Sequence, residues 1–293
     1  MKIKILVWSD PNWSIGRVNR NVEKLLDPLE YEFTYCDWAV YGCNHVANNI
    51  DNYDIILTNL VALVSLKKRT PNLCLSKFIF VCHGSVELKN IDRESYPINT
   101  TYSMTSKVVK PLFPQLIRNK LHCTYNGVDP TEFNFIQRSG KITKIGWCGA
   151  TRIVTKRSNW TNEIATKCEI EYEIQTQMTY DEIKKWYNTI DIFLVNAGPY
   201  NWVETGPLPP FEAIVSGVLA IGTRVGNFAD VPGPKYDTID EAVIIINDLK
   251  NNPEKVLALM KEQYDYVIKN WTYESLIDGW KHTFRESLLL SRA

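Results

Sequence analysis

Short apolar runs recur along this chain at helix-length intervals, and that spacing limits the possible folds more than any other feature. In the first half, KIKILVW, YEFTYC, YDIILTN and KFIFVC alternate with segments such as GRVNRNVEKLLDPL and ALVSLKKR, and TYSMTS leads into KVVKPLFPQL. Runs of roughly four to eight β-rich apolar residues are what strands buried on both faces require, and the spacers supply the crossovers that parallel strands need. The polar stretch NFIQRSGKIT reads as an interdomain linker. Beyond it the alternation restarts with KIGWCG, a helix near 158–168, IEYEIQT, the helix TYDEIKKWYNTI, the strand DIFLVNA, a helix near 209–217, VLAIGT and EAVIII. The remainder is helical in spacing, with Asn251 or Asn252 as a cap before Pro253 in the first turn. This pattern predicts an α/β chain of two Rossmann-like units facing across a cleft lined by the carboxyl ends of both sheets.

Composition narrows the function classes. A length of 293 residues suits two domains, and no stretch approaches the roughly 18 consecutive apolar residues of a membrane helix. Lys plus Arg and Asp plus Glu balance at 33 each, and residues 1–130 hold 15 basic against 12 acidic side chains, too small a bias to indicate nucleic-acid binding. The Lys67, Lys68, Arg69 cluster reads as a solvated helix end or as a weak peripheral contact with an anionic membrane surface. Seven cysteines without CxxC spacing indicate reduced thiols, neither a disulfide framework nor a zinc site. The start MKIKILVWS reads as a strand with no targeting segment ahead of it, so a cytoplasmic location is the expectation.

The stretch ETGPLPPFEAIVSG, residues 204–217, places Glu204 and Glu212 eight positions apart around a proline-broken loop and the start of a small-residue helix. Four other segments accompany it: YNGVDPTEF, KIGWCG with Arg152 and Lys156, DEIKKWYNTIDIFLVNA, and NWTYESLIDGWKHTF. In this order they resemble the retaining, nucleotide-sugar-dependent glycosyltransferases of the GT-B fold, family 4 type. The resemblance is close over residues 120–285 and weak before them.

That resemblance implies an N-terminal acceptor-side domain over 1–130, a nucleotide-sugar-binding domain over 131–272, and a C-terminal helix over 273–293 crossing back to the first domain. It implies hexosyl transfer from a nucleoside-diphosphate sugar to an acceptor hydroxyl with retention, no metal and no further cofactor. By the same resemblance Arg152 and Lys156, beyond the Gly149 turn, bind the diphosphate, Glu212 takes the ribose hydroxyls, and Glu204 contacts the transferred sugar. Backbone amides of Thr205, Gly206 and Leu208 serve the sugar and phosphates, since Pro207, Pro209 and Pro210 have no N–H to give. His83, just past a strand end, faces the donor sugar; Gly16 lies beside the phosphates and Met178 near the base. A structural histidine, a buried methionine and a solvated basic loop are the plainer meanings of the same residues. The acceptor stays open among glycans, lipid-linked sugars, proteins and modified bases. Two other functions fit the same residues, a nucleotide-sugar epimerase and a binding module without turnover.

Overall fold

The computed structural model describes residues 2–10, 14–84, 87, 88, 91, 96–198 and 205–292. The chain divides into two compact units, Met1–Asn126 with Leu276–Ala293, and Gly127–Ser275.

In the first unit β1 (Ile3–Ser9), β2 (Tyr31–Asp37), β3 (Ile55–Asn59), β4 (Phe78–Cys82), β5 (Thr101–Met104) and β6 (Leu121–Cys123) form one sheet in the order β2-β1-β3-β4-β5-β6. Every pairing is parallel, with Leu6 between Thr34 and Ile56. Both β3 and β4 are buried at each residue, as strands covered on two faces must be. Helices α1 (Ser14–Lys24), α2 (Cys43–Asn49) and α3 (Ala62–Arg69), a 3-10 segment (Lys107–Leu112) and α4 (Gln115–Arg118) make the crossovers. One core cluster joins Leu63 and Leu66 of α3, Phe78 and Phe80 of β4, and Val109, Phe113 and Ile117 beyond β5.

The second unit holds β7 (Lys144–Cys148), β8 (Glu171–Gln175), β9 (Ile192–Val195) and β10 (Leu219–Gly222), again all parallel, in the order β10-β9-β7-β8. Around them lie α5 (Asn159–Cys168), α6 (Tyr180–Trp186), α7 (Pro209–Val215), α8 (Ile239–Lys250) and α9 (Pro253–Asn270). Local chemistry sets these boundaries. Thr179 and Glu182 form a reciprocal capping box at the start of α6, and Thr238 accepts from the Glu241 amide at 3.2 Å to start α8. Gly217, at φ +83°, ends α7; a Cβ there would sit 2.4 Å from the Ile136 carbonyl oxygen, so only glycine fits.

The polar stretch read as a linker lies inside this unit. Arg138 donates to the Asn188 and Tyr187 carbonyls at 3.2 and 3.0 Å, and the Ile136 amide to the Ser216 carbonyl at 3.3 Å.

The last helix, α10 (Tyr273–Arg292), contributes its residues from Leu276 onward to the first unit. Its buried Phe284 lies 6.1 and 6.3 Å, ring to ring, from Tyr31 and Phe33 of β2. The Trp280 indole donates to the Tyr125 carbonyl at 3.3 Å. Gly279 lets the helix approach β6, because a Cβ would stand 2.8 Å from the Cys123 oxygen.

Candidate active site

In the second sheet the chain runs from β7 outward to β8 and returns past β7 to β9, so the strand order reverses between β7 and β9. Crevices at the carboxyl ends of such neighbouring strands are where open parallel sheets bind ligands. A recess of about 340 Å³, counting the solvent at its mouth, opens there. Its walls are Trp147 and Cys148 of β7, the end of β9 through Ala197, the loop and helix prolines Pro207, Pro209 and Pro210, and Lys156.

The turn after β7 delivers the lysine. Gly149 has φ +147°, and a Cβ on it would meet the Trp147 ring at 3.1 Å and the Lys156 Cδ at 3.8 Å. The backbone conformation and the Trp147 ring are what favour glycine here, and the Lys156 stem passes the turn at van der Waals distance. The three basic residues near it part ways. Arg152 is exposed and is not in the recess wall. Arg157, in the left-handed region at φ +47°, puts its guanidinium 4.4 Å over the Trp160 ring and against the backbone of Gly198. Lys156 alone of the three borders the recess.

The far end of β9 is tied to α5 through buried polar groups. Asn196 donates to Thr161 Oγ1 at 2.9 Å and accepts from the Tyr236 hydroxyl at 2.5 Å. The Thr223 amide donates to the Val195 carbonyl at 2.8 Å. Such a satisfied network fixes the strand end. It also brings the first turn of α5, with its partial positive charge, toward the switch point.

Helix α7 offers less to an anion than an ordinary helix start. Its first two residues are Pro209 and Pro210, so two of the amide donors a helix normally exposes are missing. Thr205 and Leu208 are buried before it, and the Thr205 carbonyl accepts from the Asn227 amide at 2.8 Å. Of the basic residues near the recess, Lys156 is the one in its wall, and Thr205, Gly206 and Leu208 are not among the wall residues.

Glu212 is 3% exposed and stands behind the wall. Its Oε2 accepts from the Tyr187 hydroxyl at 2.8 Å, and that hydroxyl is 3.9 Å from Cys148 Sγ, a wall atom. Burial, with Cys148 and Glu212 beside it, holds the Tyr187 pKa well above the usual tyrosine value, which keeps the hydroxyl a donor. Tyr187 escapes sequence reasoning because its ring packs with Trp186 and Phe193 at 5.4 and 6.0 Å and looks like core. Met178 lies beyond β8 and outside the recess wall. Glu204 is outside the described residues.

In the first unit the strand order reverses between β1 and β3, where Thr58 donates to the Trp8 carbonyl at 2.7 Å and Ser9 and Asn59 are buried. Gly16 is buried in the first turn of α1. His83 follows β4 directly, and its amide donates to Glu87 Oε2 at 3.0 Å. Burial lowers the His83 pKa to about 4 and raises that of Glu87 to about 8. Among the described residues no three His, Cys, Asp or Glu side chains gather as a metal site would need.

No protein-family model and no curated protein matches this sequence. Solved structures do match. HepE of Anabaena, in complex with UDP-glucose, superposes with a TM-score of 0.73 at 11% identity, over 97% of this chain and all of that one. The fold is GT-B. AviGT4, a glycosyltransferase involved in avilamycin A biosynthesis, gives 0.65 at 13% identity over 99% of each chain. The T4 phage BGT in complex with its UDP-glucose substrate gives 0.61 at 9% identity, over 98% of this chain and 99% of that one. Within this GT-B chain, the Lys156 recess lies at the switch point of the second sheet.

Proposed function

We propose that the chain transfers a hexose from a UDP-sugar to an acceptor hydroxyl, with retention of configuration and no metal ion. One observation carries the reading: a switch-point recess bordered by Lys156 and the prolines of the 205–210 loop, on a fold whose neighbours include complexes with UDP-glucose.

Cleavage between the anomeric carbon and a phosphate oxygen leaves negative charge on the diphosphate and positive charge on the sugar ring. Lys156, the amino end of α5 and the Gly149 turn are assigned to the diphosphate, and Arg152, exposed and outside the recess wall, would have to swing in to join them. The amides of Thr205, Gly206 and Leu208 supplement them. Glu212, buried behind the wall and held by Tyr187, is assigned to the ribose diol, an assignment that requires the wall to open on donor binding so that one carboxylate can accept from two hydroxyls. Met178 is placed near the base, and Glu204 at the transferred sugar, where its charge favours the cationic ring. His83 and Gly16 belong to the first unit, which is assigned the acceptor side. The acceptor oxygen bonds to the anomeric carbon as the phosphate leaves on the same face, and the acceptor's proton passes to that phosphate.

Titration calorimetry with UDP-glucose and other nucleotide sugars, followed by a UDP-release assay, tests the reading. Lys156→Ala should weaken donor binding about 10–100-fold, the value of a hydrogen bond to a charged group. Glu204→Ala should keep binding and lose turnover. Binding without UDP release would point to a module, donor interconversion without acceptor to an epimerase, and no nucleotide-sugar binding at all would end the proposal.

A further inference from the structure

Charge is unevenly distributed along this neutral chain. Residues 55–128 hold 10 Lys and Arg against 3 Asp and Glu, and no acidic residue occurs from Tyr96 to Val128. Much of this charge lies on elements that share one core: α3, with Lys67, Lys68 and Arg69 in its last turn, and the segment 107–118.

That segment is also apolar where it meets water. Each of its core residues follows an exposed aliphatic one: Val108 (51% exposed) precedes Val109, Leu112 (41%) precedes Phe113, and Leu116 (75%) precedes Ile117. Lys107, Lys110 and Lys120 lie exposed among them and enter no salt bridge among the described residues. Pro111 and Pro114 prevent one continuous helix here, so the exposed aliphatics are not the by-product of an amphipathic stripe turned inward.

We propose that the segment Lys107–Lys120, together with the basic end of α3, docks on the surface of an anionic lipid bilayer. Lysines at the headgroup level neutralise the lipid charge, while Val108, Leu112 and Leu116 enter the acyl boundary below. Nucleic acid would match the lysines but offer the aliphatics nothing, since its bases favour aromatic stacking partners. No helix among the described residues is long and apolar enough to cross a membrane, so the contact is interfacial. The proposal is independent of the donor-site reading.

Co-sedimentation of the full chain with vesicles of phosphatidylcholine, alone or mixed with phosphatidylglycerol, is the test. The chain should sediment with the mixed vesicles only. Lys107→Gln/Lys110→Gln should lower partitioning roughly fivefold per lysine, and Leu112→Ser/Leu116→Ser should lower it as well. Circular dichroism and melting of both variants should match the parent, because all four side chains face solvent. Absence of sedimentation with the mixed vesicles would overturn the proposal. So would a serine pair that partitions like the parent, or a parent chain that binds a duplex DNA fragment in preference to the vesicles.

Discussion

Replacing Tyr187 with phenylalanine deletes one oxygen and leaves a ring packed between Trp186 and Phe193. The deleted oxygen donates to Glu212 at 2.8 Å, and Glu212 is 3% exposed, so water does not readily take its place. Leaving a buried acceptor short of a donor costs about 1–3 kcal/mol. For a unit the size of Gly127–Ser275 each kcal/mol moves the melting temperature by about 2–4 °C, so the expected fall is roughly 2–12 °C. The same bond holds one carboxylate oxygen of the residue assigned to the ribose, so the variant should raise the donor KM about tenfold, equivalent to ~1.4 kcal/mol, with little change in kcat. Scanning calorimetry with and without UDP-glucose, and initial rates across donor concentrations, read both quantities. A melting shift under about 1 °C, corresponding to less than ~0.5 kcal/mol, together with an unchanged KM would show that the bond neither supports the fold nor orients Glu212.

Two further outcomes are expected. Gly222→Ala places a Cβ 2.3 Å from the Val195 carbonyl oxygen and 2.8 Å from its Cα, both backbone atoms that no rotamer can move. It should destabilise by about 1–3 kcal/mol or more in urea titrations, and a loss within ~0.5 kcal/mol would mean β9 and β10 separate freely. The second concerns pH. Glu87, raised from 4.5 to about 8 by burial, holds an extra proton in the folded state across that window, so its contribution falls as pH rises through it. His83, lowered from 6.5 to about 4, acts in the opposite sense below pH 6.5. The two offset each other in mildly acidic solution. Stability should then fall from pH 6.5 to about 8 by roughly 2 kcal/mol, at ~1.4 kcal/mol per pH unit. Glu87→Gln should flatten that slope in urea titrations, and an unaltered slope would assign it to another group.

The parallel sheets were legible in the sequence because doubly covered strands leave uninterrupted apolar runs, as IILTN and FIFVC do. The run EAVIII is β-branched yet lies in α8, where Thr238 and Glu241 supply a cap that outweighs local propensity. The site was less legible. TKR presents two equal cations, and only the left-handed turn at Arg157 sends one onto Trp160 while the other stays at the recess. Tyr187 and Glu212 are 25 positions apart and meet only after β9 has paired with β7, so no local pattern announces them. The aliphatics of 107–118 were hidden in a stretch whose prolines broke any period by which an outer face could be told from an inner one.

Helix α10 imposes an order on how the molecule is made. Gly127–Ser275 is contiguous and can finish folding as it leaves the ribosome, whereas the core around Tyr31 and Phe33 lacks Phe284 until the whole of that second unit has been synthesised. The part synthesised first is thus the part completed last, and during that interval β2 carries an uncovered aromatic face that nascent-chain chaperones would be well placed to shield.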